Sequence, residues 1–418
     1  MEYKKLTMGG YNLHLINTDK FKTCHVEVIF RNNINIEEIT RRAFLSKILV
    51  ESSADFPTKR SLLIKLEDLY NASIYSNSSK VGGSIITNFA IDFLAPEYTE
   101  KTLDKESIKL LFDIIMKPLI KNREFDNKTF ELVKKRMKDE INITLEDASK
   151  LSIINALKCL GDSPSSYSSV GSLEDLEEIT AENLYETYEK MLKNDYIDIF
   201  VIGNISVDDI AKYIKEFAKF KVIKNHSIDM YVSNPKIKEK YISNKFNFQQ
   251  TNLVVILNLN NLTTYEKKYV ANLYNTILGG GSLEAKLYKS LRKDNSLCYS
   301  AASYYQKYDG LIIISTGVNN SKSDKAIKLI KQSIKDMSNS IEESELEAAK
   351  ELLITSLNYI KDNENRIIDN YYYQDMKELD PIEERIKIFK KVSVKDIYAL
   401  SKKISISVVY ALKGGNNE

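Results

Sequence analysis

The chain has 418 residues, too many for one ordinary domain and enough for roughly two to four. Its 60 Lys+Arg against 58 Asp+Glu leave a formal charge of +2, with the two signs mixed along the chain. No basic stripe or RNA-binding aromatic motif stands out, so no nucleic-acid partner is expected. Three scattered cysteines, Cys24, Cys159 and Cys298, argue against a disulfide framework and fit a reducing compartment. The opening MEYKKLTMGGYNLHLI lacks the apolar core and cleavage site of a signal peptide. No apolar run approaches the ~20 residues that span a bilayer. A cytoplasmic protein without a membrane segment is expected.

In chain order, residues 11–16 and 24–31 (CHVEVIFR) alternate enough for paired strands. A helix is predicted over 41–50. Another is predicted over 61–70, where Leu62, Leu63, Leu66, Leu69 and Tyr70 share one face. Residues 82–94 (GGSIITNFAIDFL) predict a strand or a bent strand. Helical patterns follow at 100–116, 127–145 and 177–192, the last with Thr180 near its first turn. Residues 196–202 (YIDIFVI) close this half as a strand, ended by Gly203 and Asn204.

The second half repeats the order. A strand at 252–259 (NLVVILNL) precedes a helix at 264–278 and a helical segment at 286–291. Residues 297–305 and 311–318 predict an antiparallel pair, with Tyr308, Asp309 and Gly310 in the turn. Helices at 322–337, 343–361 and 382–390, and a short one at 393–401, lead to a strand at 404–412 (ISISVVYAL) and then Gly414 and Gly415.

The matching endings YIDIFVIGN and ISISVVYALKGG point to a duplication. Charge, Asn225, Pro235 and weak periodicity place the join within 219–240. The expected domains are therefore 1–218 and 241–418, with 219–240 as linker. Strands separated by several helices predict an α+β fold of two homologous halves, each an antiparallel sheet covered by helices. A doubly wound nucleotide fold is disfavoured. No G-x-G-x-x-G follows a strand, and Gly279, Gly280 and Gly281 lack the Lys-Ser/Thr of a P-loop.

The most informative stretch is 278–305, LGGGSLEAKLYKSLRKDNSLCYSAASYY. It reads as a glycine-rich hinge, an amphipathic helix, a polar break and a strand. Arg292 and Tyr299 stand either side of the break, and a guanidinium and a phenol held this way can grip a peptide carbonyl or carboxylate. Spacing alone equally allows an exposed arginine at a helix end and a core tyrosine in a strand. The glycines serve as a helix C-cap and turn in either case. Cys298 reads as a small buried residue, and Tyr371, Tyr372 and Tyr373 as core or interface packing.

These residues resemble the second-half signature of the M16, pitrilysin-like or insulinase-like, peptidases. Residues 249–259 resemble the strand that opens that half, and 345–353 (ELEAAKELL) resembles a late family helix. Pro164, Tyr167 and Gly171, followed by Ile179 and Thr180, match a recurring loop before a helix. The resemblance implies two homologous halves closing around a peptide chamber. In active members a His-x-x-Glu-His helix and a later Glu hold zinc in the first half. The resemblance assigns Arg292 and Tyr299 to the substrate backbone, and Gly279, Gly280 and Gly281 to a glycine-rich loop near the chamber.

The zinc motif is where this chain departs. Its chemistry needs two imidazoles on neighbouring helical turns and a carboxylate between them as base. Only His14, His25 and His226 are present, and no two are close enough to form it. Residues 45–52 (LSKILVES) align with the family's zinc helix. There Lys47 and Glu51 take the histidine positions and Val50 that of the base, while Glu140 matches the distant ligand. An ammonium repels a divalent cation. Lys47 and Glu51 are instead expected to pair at i,i+4. Cys24 and His25 make a poor metal pair, because adjacent strand residues face opposite sides. No catalytic zinc is expected in this chain.

The expected function is a catalytically incomplete M16 subunit that binds peptide, resembling the non-catalytic partner of bacterial two-component systems. A zinc-bearing M16 homologue would complete it as a heterodimer and supply the zinc. The alternative is a non-proteolytic peptide-binding or scaffold protein, or a maturation factor, acting for instance as a homodimer.

Overall fold

A computed structural model describes residues 1–99, 102–221, 227–234 and 237–415. Asn225, His226 and Pro235 lie outside the described residues, as does the predicted helix start at 100–101. The chain condenses into two compact units, one of residues 1–142 and 168–230, the other of 143–167 and 231–418. Residues 143–167 thus belong to the second unit although they lie in the first half of the sequence.

The first unit contains β1 (Glu2–Thr7), β2 (Asn12–Asn17), β3 (Thr23–Asn33), β4 (Ser73–Val81) and β5 (Ser84–Leu94). It also holds a small hairpin of β6 (Ile120–Lys121) and β7 (Glu124–Phe125), and β8 (Tyr196–Gly203). The main sheet runs β1-β2-β8-β3-β5-β4, antiparallel except where β2 and β8 lie parallel. Alternation in β3 sends Val26, Val28 and Phe30 to one face and His25, Glu27 and Arg31 to the other. The helices Ile39–Leu49 and Leu103–Met116 pack on β5 and bury Phe44, Leu45, Ile108 and Leu111.

The second unit contains β9 (Lys240–Phe246), β10 (Thr251–Leu259), β11 (Cys298–Gln306), β12 (Leu311–Val318) and β13 (Ile404–Gly414). Their order is β11-β12-β10-β13-β9, with only β9 and β13 parallel. One face is sealed by helices including Ala271–Leu278, Ser323–Asp336 and Glu343–Asn358 over Val255, Leu257 and Ile314. The other carries Val254, Ile256, Ile313 and Val408, covered by Leu151 and Ala156 of the helix Ala148–Lys158.

The α+β architecture and the duplication hold. Substituting β9, β10, β11, β12 and β13 for β2, β3, β4, β5 and β8 turns one strand order into the other. Each sheet is antiparallel but for one pair, because its closing strand returns between the first two. Among the described residues, strand β1 has no counterpart in the second unit.

Elements absent from the sequence reading are mostly those whose burial is one-sided or slight. Strands β4 (SIYSNSSKV) and β9 (KYISNKF) are sheet edges with little apolar alternation. The helix Val207–Phe217 did carry a start signal, Ser206, whose side chain accepts from Asp209 N–H. The helix predicted from 177 starts at Ala181, where Thr180 and Asn183 form a capping box. Among the described residues, no helix is long and apolar enough to cross a membrane.

Candidate functional site

The duplication sets two equivalent places side by side for comparison. One is the end of the Ile39–Leu49 helix in the first unit. The other is the end of the Ala271–Leu278 helix, with its glycines and Arg292, in the second.

The Ile39–Leu49 helix is buried almost all round, and Phe44 stacks on Phe130 with ring centroids 5.0 Å apart. Phe130 belongs to the helix Asn127–Glu146, which buries Phe130, Val133, Met137 and Ile141 along one stripe. This pairing brings Lys47 and Glu140 together: Lys47 Nζ donates to Glu140 Oε2 at 2.6 Å. The expected Lys47–Glu51 pair is replaced by this contact. Glu51 turns instead to Arg136 Nη2 at 2.8 Å and Lys59 Nζ at 3.6 Å. Lys59 also donates to the Val50 carbonyl at 3.0 Å.

Lys47 and Glu140 therefore meet, but in chemistry that opposes a metal. A cation already sits on Glu140, two more on Glu51, and Val50 offers only its main chain. Zinc needs lone pairs directed at one point, and these residues present ammonium and guanidinium protons there. The residues present do not fit a catalytic zinc.

In the second unit a π-helical turn, Glu266–Val270, leads into the helix Ala271–Leu278. Gly279 and Gly280 follow at positions where no side chain fits. A Cβ on Gly279 would lie 2.7 Å from Leu287 Cδ1 and 2.8 Å from Ser303 Oγ. One on Gly280 would lie 2.8 Å from Thr276 Cα. Gly281 has open space but a φ of +93°, left-handed backbone that favours glycine. The close approach of Gly279 has a product: its carbonyl accepts from Ser303 N–H at 2.9 Å. Since β11 is an edge strand, this bond occupies an outward backbone donor.

Arg292 lies in a second π-helical turn, Tyr288–Lys293, of the kind frequent at functional sites. Leu287, Leu291 and Leu297 anchor the segment in the core. Arg292 Nη1 donates to the Cys298 carbonyl at 3.1 Å, and its Cζ lies 5.5 Å from the Tyr299 ring centroid. A register shift between Cys298 and Ala301 lifts Tyr299 out of the ladder with β12. Tyr299 is 87% exposed, which removes the core-tyrosine reading. Arg292 is exposed as well, and among the described residues no carboxylate lies within ion-pair distance of it. The arrangement presents guanidinium donors and a phenol on one surface, fitted to a carbonyl or carboxylate oxygen. Cys298 is buried, as its size suggests, and Tyr372 is core while Tyr373 stacks on Tyr308.

A third cluster escaped the sequence reading. His25 of β3 lies with Nδ1 2.6 Å from Asp92 Oδ1 of β5, and the Tyr75 hydroxyl of β4 lies 2.8 Å from the same nitrogen. Its Nε2 is 3.7 Å from Glu27 Oε2, so Glu27 acts by charge rather than by a hydrogen bond. Burial alone would lower the imidazole pKa, but Asp92 and Glu27 outweigh it and push it up to about 9. The alternation of CHVEVIFR showed His25 and Glu27 sharing a face. Only the pairing His25↔Asp92 supplies the rest.

Residues 178–353 match the family model described as "Peptidase M16 inactive domain". The chain is 24% identical over 415 residues to "Probable inactive metalloprotease YmfF" of Bacillus subtilis, covering 97% of this chain and 96% of that protein. A crystal structure of a conserved protein from Enterococcus faecalis superposes with a TM-score of 0.92 at 24% identity over 100% of both chains. The peptidase M16 inactive domain from Pseudomonas fluorescens superposes with a TM-score of 0.80 at 17% identity, over 100% of this chain and 99% of its own. The chain is thus similar along its full length to a probable inactive metalloprotease, carries a match to the M16 inactive-domain model over residues 178–353, and shares the fold of these structures.

Proposed function

We propose that this chain is the peptide-holding, non-catalytic subunit of a two-component M16 peptidase of the cytoplasm. The observation that carries this reading is the contrast between Lys47, neutralised by Glu140, and Arg292, exposed over Tyr299 without a carboxylate. Arg292 and Tyr299 orient the peptide backbone and stabilise charge on its carbonyl oxygen. A zinc-bearing M16 homologue, paired as a heterodimer, supplies the metal and the base. The glycine-rich segment Gly279–Gly281 borders the same surface. Neither nucleic acid nor membrane has a part in this role.

The test is reconstitution. Co-purification with a His-x-x-Glu-His homologue from the same organism, zinc analysis, and a peptide digest by each subunit and by the mixture separate the outcomes. Cleavage by the mixture with zinc in the partner alone supports the reading. Cleavage by this chain in the presence of chelator contradicts it, and a mixture no faster than the partner alone favours a scaffold role.

A further inference from the structure

The two sheets share a strand order, yet they end differently on one side. In the first unit β2 lies parallel to β8 and is then covered by β1, six residues paired antiparallel from Glu2↔Asn17 to Thr7↔Asn12. In the second unit β9 lies parallel to β13 in the equivalent place, and among the described residues it is the last strand of its sheet. A strand paired on one side directs alternate N–H and C=O groups outward, so roughly half the main-chain groups of β9 face away from β13. The duplicated fold has covered this edge once, which shows that its geometry accepts a further strand.

The surroundings of β9 give the occupant a chemistry. Lys240 and Lys245 lie on the strand, Lys238 just before it, and Lys413 beside Lys245 on β13. Lys238, Lys240 and Lys245 are exposed and Lys413 is half-buried, and among the described residues none of the four has a carboxylate within ion-pair distance. The nearby acid, Glu239, is held by Lys331. Tyr241 and Phe246, about half exposed, stand toward the two ends of the strand and on opposite faces of the sheet. Lysines on an edge strand discourage indiscriminate pairing, and against a second copy of this chain they would set ammonium against ammonium. The same charges favour an acidic segment.

We propose that β9 is a docking strand for an acidic, extended segment of a partner protein, added to the sheet edge as β1 is added to β2. Main-chain bonds supply the pairing, Lys238, Lys240, Lys245 and Lys413 select acidic side chains, and Tyr241 and Phe246 shelter apolar ones. Four strand spacings, roughly 19 Å, separate this edge from β11, so it is a different surface from the Arg292–Tyr299 grip.

The experiment uses the purified full chain and three fluorescent heptapeptides: alternating glutamate and valine, alternating lysine and valine, and the glutamate peptide with a central proline. Anisotropy should show saturable binding of the first. Binding should weaken by about an order of magnitude or more for the other two and for Lys240→Glu/Lys245→Glu. Hydrogen exchange on the unmodified chain should show residues 240–246 gaining protection with the first peptide, a readout independent of any variant's folding. Equal binding of the proline peptide, or no gain of protection at 240–246, overturns the proposal. So does self-association of the free chain that Lys240→Glu/Lys245→Glu abolishes, since a second copy is then the occupant.

Discussion

The ends of the two repeated helices show how one topology can carry opposite electrostatics. At the end of Ile39–Leu49 every ionic group is answered: Lys47 by Glu140, and Glu51 by Arg136 and Lys59. Beyond Ala271–Leu278 the exposed guanidinium of Arg292 rests on a carbonyl and an aromatic ring, with its remaining donors outward. Partnered charges have little left to offer a ligand, whereas an unpaired guanidinium beside an exposed phenol has a great deal. One helix end is thus closed by ion pairs, while the other leaves a guanidinium and a phenol open to a ligand.

The largest effect expected from breaking this contrast is on the open side. Arg292→Ala should lower peptide turnover by a reconstituted pair about 100-fold, the ~2.7 kcal/mol scale of one lost oxyanion donor. Co-elution and melting temperature should be unchanged, because Arg292 is exposed.

The buried His25 cluster comes next, and its effect is on stability. His25→Ala removes the cation that both Asp92 and Glu27 answer and should cost ~3 kcal/mol in denaturant titration. The folded-state pKa of about 9 lies above the ordinary imidazole value of 6.5. The stabilisation is therefore complete below 6.5 and is lost as pH rises through about 9. Melting temperatures measured from pH 6 to 10 should fall over that window, and more in the parent than in His25→Ala.

The glycine loop sharpens the comparison on a smaller scale. Gly279→Ala places a methyl against Leu287 and Ser303 and should cost about 1–3 kcal/mol while loosening the Ser303 N–H bond, visible as faster amide exchange. Gly281→Ala meets no atom and should cost only about 1 kcal/mol through its left-handed backbone. Lys47→Ala should be the mildest, below ~1 kcal/mol, since both Lys47 and Glu140 are well exposed.

The parts of this account that could be read from the sequence are those written locally. Residues 278–305 hold the glycines, Arg292 and Tyr299 within one short stretch, and β10, β12 and β13 are apolar runs bounded by turn residues. The repeated endings around β8 and β13 revealed the duplication. What stayed hidden depends on partners far apart in sequence. Glu140 reaches Lys47 only because Phe44 and Phe130 dock their helices, which is why an i,i+4 pair to Glu51 looked the better choice. His25, Tyr75 and Asp92 meet through strand register. The role of Gly279 is a backbone contact across 24 residues, and no side-chain pattern records it. Edge strands β4 and β9 lack the alternation that burial imposes on both faces of an inner strand.

The central claim, a peptide grip without a metal, is tested most directly by the isolated chain. A labelled peptide should bind it saturably in the presence of chelator, remain uncleaved, and bind at least roughly tenfold more weakly to Arg292→Ala. Binding that chelator abolishes, or that Arg292→Ala leaves unchanged, would contradict the account.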